Sequence, residues 1–428
     1  MASRFLFCPL ASPGHVFPMI GISLELARRG HSVAFATGTP FRDILREQGI
    51  RRVSRGPCDG DSFQLETWWK PTSVALQAAH VLHAASEFRP DVIIGGQLAY
   101  GPMLMGEILD LPVAILGFAT HLLPKPRRDT NQPDEHPVEA QERATWRLES
   151  MSESLQAARS LLHLPPLSQE QAADFLLGDL FLLQSVPDLE PGVGDLPSAV
   201  HCVGSCVWEP AVPDEDLAKW LDSTGRLGPV VYMQHGRLFH LGNLWPAVTE
   251  GLSGSNIRLV ASTGRMDGKP AEPPPFNFFV RDHVPQGQVL PHATAVVSTA
   301  NTTAVLGSLS FGLPLLLLPG GGEQLEVAAM CERVGAALTL DPKSVTPETF
   351  RASLREIDVN PRFRASARQV QSCLSKVQGH LLAADLLESL AEGGTALKGP
   401  RPADDFHRRT GRRNRSIADG NVVVTSLL

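Results

Sequence analysis

Hydrophobic positions along this chain follow two rhythms. Short unbroken apolar runs alternate with longer stretches in which apolar residues recur every three or four positions. The first run, Arg4–Cys8, has the length of a buried strand. Turn formers follow in Pro9-Leu10-Ala11-Ser12-Pro13-Gly14-His15, predicted as a loop. Ile20, Leu24 and Ala27 then recur at helical spacing, which predicts a helix over about Pro18–Arg29 with Gly30 as its stop. Ser32–Ala36 reads as a second buried strand. Strand, helix and strand in this order make a βαβ unit, and βαβ units build parallel sheets covered by helices.

The same alternation continues. Asp91–Gly95 and Val113–Phe118 are strand-like runs separated by a helical stretch, Met103–Leu109. Residues 121–150 are polar, charged and Pro-rich, the pattern of a long excursion such as a lid or binding segment. A connector rich in Pro and acidic residues, Trp208–Asp216, precedes a second series. Its strand-like runs are Val230–Met233, Arg258–Ser262, Ala293–Ser298 and Leu313–Leu318. Helical patterns lie between and after them at Trp245–Leu252, Ala304–Phe311 and Gln324–Val334, and a last long helix is predicted over about Pro361–Leu390. The fold class is therefore α/β: two Rossmann-like domains facing a central cleft. The first domain is predicted over residues 1–207, a linker over 208–228, the second domain over 229–375, and a C-terminal helix over 376–392. Ligands of open α/β sheets bind beyond the carboxyl ends of the strands. That places the loops Pro9–His15, Gln234–Arg237, Ser262–Arg265, Ser298–Thr303 and Pro319–Gln324 on the cleft walls.

Length and charge agree with this picture and narrow it. A chain of 428 residues is too long for one ordinary core and suits two. The net charge of −7 argues against a nucleic-acid partner. Basic charge gathers at the end, where residues 393–428 carry +4 and the remainder −11; this tail is expected to be disordered. The six cysteines form no CxxC pair and no zinc-like spacing, and are expected to be buried reduced thiols. No apolar run reaches the roughly 18 residues of a membrane span. The N-terminus shows no secretory pattern, so a cytoplasmic protein without a membrane partner is expected.

The loops carry a resemblance. Ser12-Pro13-Gly14-His15-Val16-Phe17-Pro18, Val284-Pro285-Gln286 with Leu290-Pro291-His292, Phe311-Gly312-Leu313-Pro314, and Leu318-Pro319 leading to Glu323-Gln324 occur in order. With these motifs, residues 3–390 resemble the GT-B superfamily of nucleotide-sugar glycosyltransferases, most closely its natural-product branch. The resemblance implies an inverting, metal-independent transfer from a nucleoside-diphosphate sugar, UDP- or TDP-linked, to a small lipophilic acceptor. It implies no bound cofactor and a monomer or homodimer. His15 matches the family's base, a role that suits an imidazole because it can take the acceptor's proton near neutral pH. Relatives often orient this histidine with an aspartate where Gly96-Gln97 stands here. Asp59 or Asp61 could substitute, Gln97 could orient the ring, or an acidic acceptor could need little help.

The donor side departs further from the family. Relatives wrap the diphosphate in a His-Gly-Gly-x-Gly-Thr loop, whose backbone N–H groups and helix N-terminus face the anion. Aligned here are Thr299, Ala300, Asn301, Thr302, Thr303 and Ala304, and the usual ribose glutamate falls at Gly307. Asn301, Thr302 and Thr303 can still donate hydrogen bonds. After Val230–Met233 comes Gln234-His235-Gly236-Arg237. Gly236 matches the family, and the unusual Arg237, with His235, could grip phosphate in place of the lost loop histidine. Ser262, Val284 and Gln286 match donor contacts, and the exchange of the usual aromatic for His283 weakens stacking on the base. Glu323 and Gln324 match the pair that reads sugar hydroxyls. For the acceptor, Gln97, Phe63, Trp68, Trp69, Leu122 and Leu123 are candidates on irregular segments. Two other readings stay open: a degenerate relative that binds without transferring, and an enzyme with an atypical donor.

Overall fold

The computed structural model describes residues 2–56, 59–118, 138–190, 196–211, 213–223, 228–235, 244–264 and 274–393. It contains two compact units, neither of them continuous in sequence. One comprises Met1–Gln184, Gly192–Trp208 and Gln378–Leu428, the other Ser185–Pro191 and Glu209–Val377.

The first unit is built on seven parallel strands: β1 (Arg4–Cys8), β2 (Ser32–Phe35), β3 (Arg51–Arg52), β4 (Val92–Gly96), β5 (Val113–Gly117), β6 (Leu180–Leu183) and β7 (Val200–Cys202). Their order in the sheet is β3-β2-β1-β4-β5-β6-β7. The apolar runs are unbroken because both faces are covered. Along β1, Leu6 and Cys8 enter one core while Phe5 and Phe7 enter the other. The connecting helices are α1 (Pro13–Arg28), α2 (Arg42–Glu47), α3 (Asp59–Ser62), α4 (Pro71–Phe88), α5 (Tyr100–Leu109), α6 (Val138–Leu161) and α7 (Gln169–Leu176).

The second unit has six parallel strands: β8 (Val230–Gln234), β9 (Arg258–Ser262), β10 (Phe278–Arg281), β11 (Ala293–Ser298), β12 (Leu315–Leu317) and β13 (Ala337–Thr339), in the order β10-β9-β8-β11-β12-β13. Its helices are α8 (Glu215–Ser223), α9 (Trp245–Gly251), α10 (Gln286–Val289), α11 (Thr302–Ser310), α12 (Gln324–Arg333), α13 (Pro347–Val359) and α14 (Pro361–Ser375). Again the central strand divides its side chains. Val230 and Tyr232 of β8 enter one core, Val231 and Met233 the other.

In each sheet the strand order reverses once, between β1 and β4 and between β8 and β11. At such a switch point the two flanking loops leave in opposite directions and open a crevice. The candidate residues of each unit gather there.

Three expectations are corrected. Helix α1 starts at Pro13, five residues earlier than predicted, so His15 sits in its first turn and not in a loop. Ser12 is the extended N-cap and Pro13 takes the first helical position, where its missing N–H costs nothing. The excursion predicted over 121–150 is helical from Val138 onward. The apolar Met151, Leu155, Ala158 and Leu162 that hold α6 lie just beyond that window. The helix predicted over Pro361–Leu390 is two, because α15 (Gly379–Ala391) belongs to the first unit and α14 to the second. Gly379 marks the break: a Cβ there would lie 2.3 Å from the Ser205 carbonyl oxygen.

Among the described residues no helix is long and apolar enough to cross a membrane. Cys8, Cys206 and Cys331 are buried free thiols, and Cys202 and Cys373 are half-buried. Residues 394–428, the predicted tail, lie outside the described residues.

Candidate active site

In the first unit the site is assembled at the β1/β4 switch point. β1 ends at Cys8, the chain turns through Pro9–Ala11, and α1 begins. Thr37 donates to the Pro9 carbonyl at 3.0 Å, and the Ala11 N–H donates to the Phe63 carbonyl at 2.6 Å, which fixes the turn from two sides. His15 then projects beside the end of β4, where a Cβ on Gly96 would touch its Cδ2 at 3.7 Å. Its ring meets Phe118 edge-on, with centroids 4.8 Å apart. Nδ1 lies 2.9 Å from Ser12 Oγ. Nε2 is enclosed and has no hydrogen-bond partner among the described residues. Burial disfavours the charged ring and pushes its pKa from 6.5 down to about 4, so the imidazole is neutral at neutral pH.

Of the predicted partners whose side chains are described, neither Asp59 nor Gln97 is hydrogen-bonded to this ring. Asp59 accepts from Arg52 at 2.8 Å, from Ser54 at 2.5 Å and from the Arg55 N–H at 2.8 Å. Its two oxygens hold the β3–α3 turn. The Asp61 side chain lies outside the described residues. Gln97 is buried, and its Oε1 accepts from the Phe118 N–H at 3.1 Å. Gln97 thus pins the residue that packs on His15 and does not present that oxygen to an acceptor. Phe63 is fully buried in the core, which removes it from the acceptor candidates. Trp68 is half-buried, edge-on to Tyr100 at 5.6 Å, and Trp69 is half exposed. Leu122 and Leu123 lie outside the described residues.

In the second unit the candidates lie at the carboxyl ends of β8, β9, β10, β11 and β12. Gly236 and Arg237 lie outside the described residues, while His235 beside them is buried. The phosphate-loop segment is a tight turn. Ser298 Oγ accepts from the Ala300 N–H at 3.2 Å, and Ala300 has φ of +64°, a conformation that favours glycine. Asn301 is the N-cap of α11 but makes no cap bond; its amide donates to Thr299 Oγ1 at 2.8 Å. Thr302 is buried, and its hydroxyl has no partner among the described residues. Thr303 follows, half-buried, in the first turn of the helix.

Two of the matched residues are engaged within the protein. Gln324 Oε1 accepts from the Gly320 N–H at 2.7 Å, and its Nε2 reaches Asn301 Oδ1 at 3.3 Å. Gln324 is buried and ties the β12 loop to the β11 loop. Ser262 is buried, and its hydroxyl donates to the Asp282 carbonyl at 3.4 Å. Glu323, the N-cap of α12, is half-buried beside Gly321 and Gly322, both at positive φ. Val284 is buried, and the exposed His283 precedes it.

Gln286 occupies the space that Gly307 leaves. Its Oε1 is enclosed without a partner among the described residues, and a Cβ on Gly307 would lie 3.0 Å from it. Sequence reasoning missed two residues. One is Glu209, whose oxygens accept the Gln286 and Gly287 N–H groups at 2.8 and 2.9 Å. It lies 77 residues away from Gln286, and no local pattern announces it. The other is Ser12, three positions before His15, where the N-cap pattern was legible. Among the described residues no group of three or more His, Cys, Asp or Glu side chains is placed to hold a metal ion.

Residues 268–385 match the family of the erythromycin biosynthesis protein CIII-like C-terminal domain. Over 91% of this chain, the sequence is 26% identical to the full length of 4'-demethylrebeccamycin synthase of Lentzea aerocolonigenes. It is 25% identical, again over 91% of this chain and over 86% of the relative, to demethyllactenocin mycarosyltransferase of Streptomyces fradiae. Both relatives, matched along nine-tenths of this chain, are natural-product glycosyltransferases by name, and the C-terminal part carries the CIII-like domain. Solved glycosyltransferases share the fold. The calicheamicin glycosyltransferase CalG4 superposes with a TM-score of 0.68 at 21% identity, covering 92% of this chain and all of that one. Glycosyltransferase VinC, solved in complex with DTDP, gives a TM-score of 0.66 at 17% identity, covering 91% and 99% of the two chains.

Proposed function

We propose that this glycosyltransferase moves a sugar from a nucleoside-diphosphate sugar to a hydroxyl of a small lipophilic acceptor, with inversion and with His15 as general base. One observation carries the reading: a neutral imidazole at a sheet's switch point whose Nε2 is enclosed and, among the described residues, unpartnered. A buried polar atom without a partner is costly, so a site that keeps one has a use for it. In the reaction the acceptor oxygen attacks the anomeric carbon while its proton passes to Nε2. The bond from that carbon to the diphosphate breaks, and the electron pair leaves on the diphosphate oxygen.

The donor falls to the second unit. The N-terminus of α11 and the Thr302 hydroxyl face the diphosphate, with Asn301 and Thr303 beside them. Arg237 adds a guanidinium to the same anion. The leaving charge is then met by protein groups, and the step needs no metal. The base lies along Val284, Gln286 Oε1 accepts a ribose hydroxyl in place of the missing glutamate, and Glu323 reads the sugar. Gln324 acts by holding the loops together. Trp68 and Trp69 line the acceptor side. The protein works in the cytoplasm as a monomer or homodimer.

A binding protein without transferase activity is the second reading. The internal bonds of Asn301 and Gln324 favour it, because they engage groups that would otherwise meet a donor. Titration with uridine and thymidine diphosphates, followed by mass spectrometry of an acceptor incubated with a panel of nucleotide sugars, separates the two. Nucleotide binding with an acceptor mass gain of one sugar is expected. Nucleotide binding with no product across the panel would favour the second reading.

A further inference from the structure

The proposed base lacks the carboxylate that orients it in relatives, yet its ring is held. Ser12 is the N-cap of α1, a position where a serine hydroxyl ordinarily accepts a backbone N–H of the first turn. Here it makes no such bond. Its hydroxyl instead lies 2.9 Å from His15 Nδ1, and among the described residues this is its one side-chain hydrogen bond. Ser12 is itself buried, 6% exposed, so water does not compete for the contact. The geometry is local and rigid. Ser12 is the residue just before the helix and His15 the third residue within it. The His15 N–H donates to the Ser12 carbonyl at 3.0 Å, which closes a second link between the same two residues.

We infer that Ser12 is the positioning residue for His15: its oxygen accepts the Nδ1 proton and so leaves the Nε2 lone pair free for the acceptor hydroxyl. The inference rests on the base reading above. A histidine that must take a proton at Nε2 has to carry its own proton on Nδ1, and free imidazole slightly prefers the other arrangement. An oxygen that accepts at Nδ1 selects the required tautomer, and Ser12 Oγ lies within hydrogen-bond distance there. It also holds the ring against Phe118, which Gln97 pins in turn. Among the described side chains, the other two candidates are engaged elsewhere. Both Asp59 oxygens are occupied by Arg52, Ser54 and the Arg55 N–H, and Gln97 Oε1 by the Phe118 N–H. A neutral hydroxyl in place of a carboxylate sets the ring without adding a negative charge, so the imidazolium formed during transfer is less stabilised than beside an aspartate.

Ser12→Ala removes this contact and no cap bond, and leaves Nδ1 buried without its partner, so the variant is expected to fold with a modestly lowered melting temperature. Its kcat is expected to fall about tenfold, the equivalent of one lost hydrogen bond, with nucleoside-diphosphate affinity unchanged. Ser12→Thr keeps the hydroxyl and is expected to restore most of the rate. Nitrogen-15 NMR of histidine-labelled protein gives the direct view, with the His15 signal assigned from His15→Ala. In the wild type Nδ1 is expected to be protonated and Nε2 bare; in Ser12→Ala the signals should move toward the opposite tautomer. An unchanged tautomer and unchanged kcat in Ser12→Ala would overturn the inference. So would a wild-type ring protonated on Nε2. Failure of the base reading is distinct: His15→Ala would then turn over normally, whatever the tautomer.

Discussion

Two turns in this molecule share one design and differ in how their polar atoms are used. Both follow a central strand of a parallel sheet, both sit at the switch point, and both run into the N-terminus of a helix: β1 into α1, and β11 into α11. In the first, His15 Nε2 is enclosed without a partner among the described residues, while the Nδ1 side of the ring is engaged by Ser12. In the second, the polar side chains largely engage one another. Thr299, Asn301 and Gln324 form a chain of bonds, and the buried Thr302 hydroxyl has no partner among the described residues. The first turn keeps a reactive group available. The second gives up the glycines that would let a diphosphate approach the backbone, and retains a helix N-terminus with one open hydroxyl. On the proposed reading, sequence departures therefore weigh more heavily on how the donor is held than on how the proton is moved.

The pH dependence sharpens the first half of this comparison. Because burial holds His15 near a pKa of about 4, the base is neutral throughout the ordinary range, and kcat/KM should be flat from pH 7 down to about 5. A loss with its midpoint near 6.5 would mean that the ring is solvated in the working enzyme. Stability carries the same signature. The unfolded histidine titrates at its ordinary 6.5, above the folded value, so between these two the unfolded chain binds more protons. His15's contribution to stability is complete above about 6.5 and declines as pH falls toward 4. A His15→Asn variant should lose less melting temperature than wild type across that interval.

The second turn is tested by Thr302→Val, which keeps the shape and removes the unpartnered hydroxyl. Nucleoside-diphosphate affinity should fall about tenfold. The same variant should unfold at a slightly higher temperature, by the equivalent of about 1 kcal/mol, since a buried hydroxyl without a partner is replaced by a methyl group. Weaker binding with greater stability marks a group kept for its ligand. If both fall together, the hydroxyl serves the fold. A smaller effect is expected at Gln286. Gln286→Ala should weaken nucleotide binding several-fold, about 1 kcal/mol, and should abolish discrimination against a 2',3'-dideoxyribose analogue. Equal preference for the natural ribose in the variant would move that contact elsewhere.

Much of the scaffold was legible because its central strands are buried on both faces. β1, β4, β5, β8, β9, β11 and β12 all show as apolar runs. The edge strands did not: β3 is Arg51-Arg52, and β7 is Val200-His201-Cys202, too short and too polar to register. The start of α1 was misplaced because Pro13 and Gly14 read as loop formers, whereas Pro at a first helical position is also a start signal. The motif that carries His15 was legible, but the setting of its ring was not. Ser12 was read as part of a loop, and only the structure shows it as an N-cap that makes no cap bond. Glu209 was invisible, since its contacts to the Gln286 and Gly287 N–H groups span more than seventy residues.

The central claim is that His15 takes the acceptor's proton. The direct test is single-turnover transfer by His15→Ala with donor bound in advance, compared with wild type under the same conditions. The account expects the transfer rate to fall by about a thousandfold while the affinity for nucleoside diphosphate stays within twofold. A variant that transfers the sugar at a rate close to wild type would contradict it and place the base on another residue.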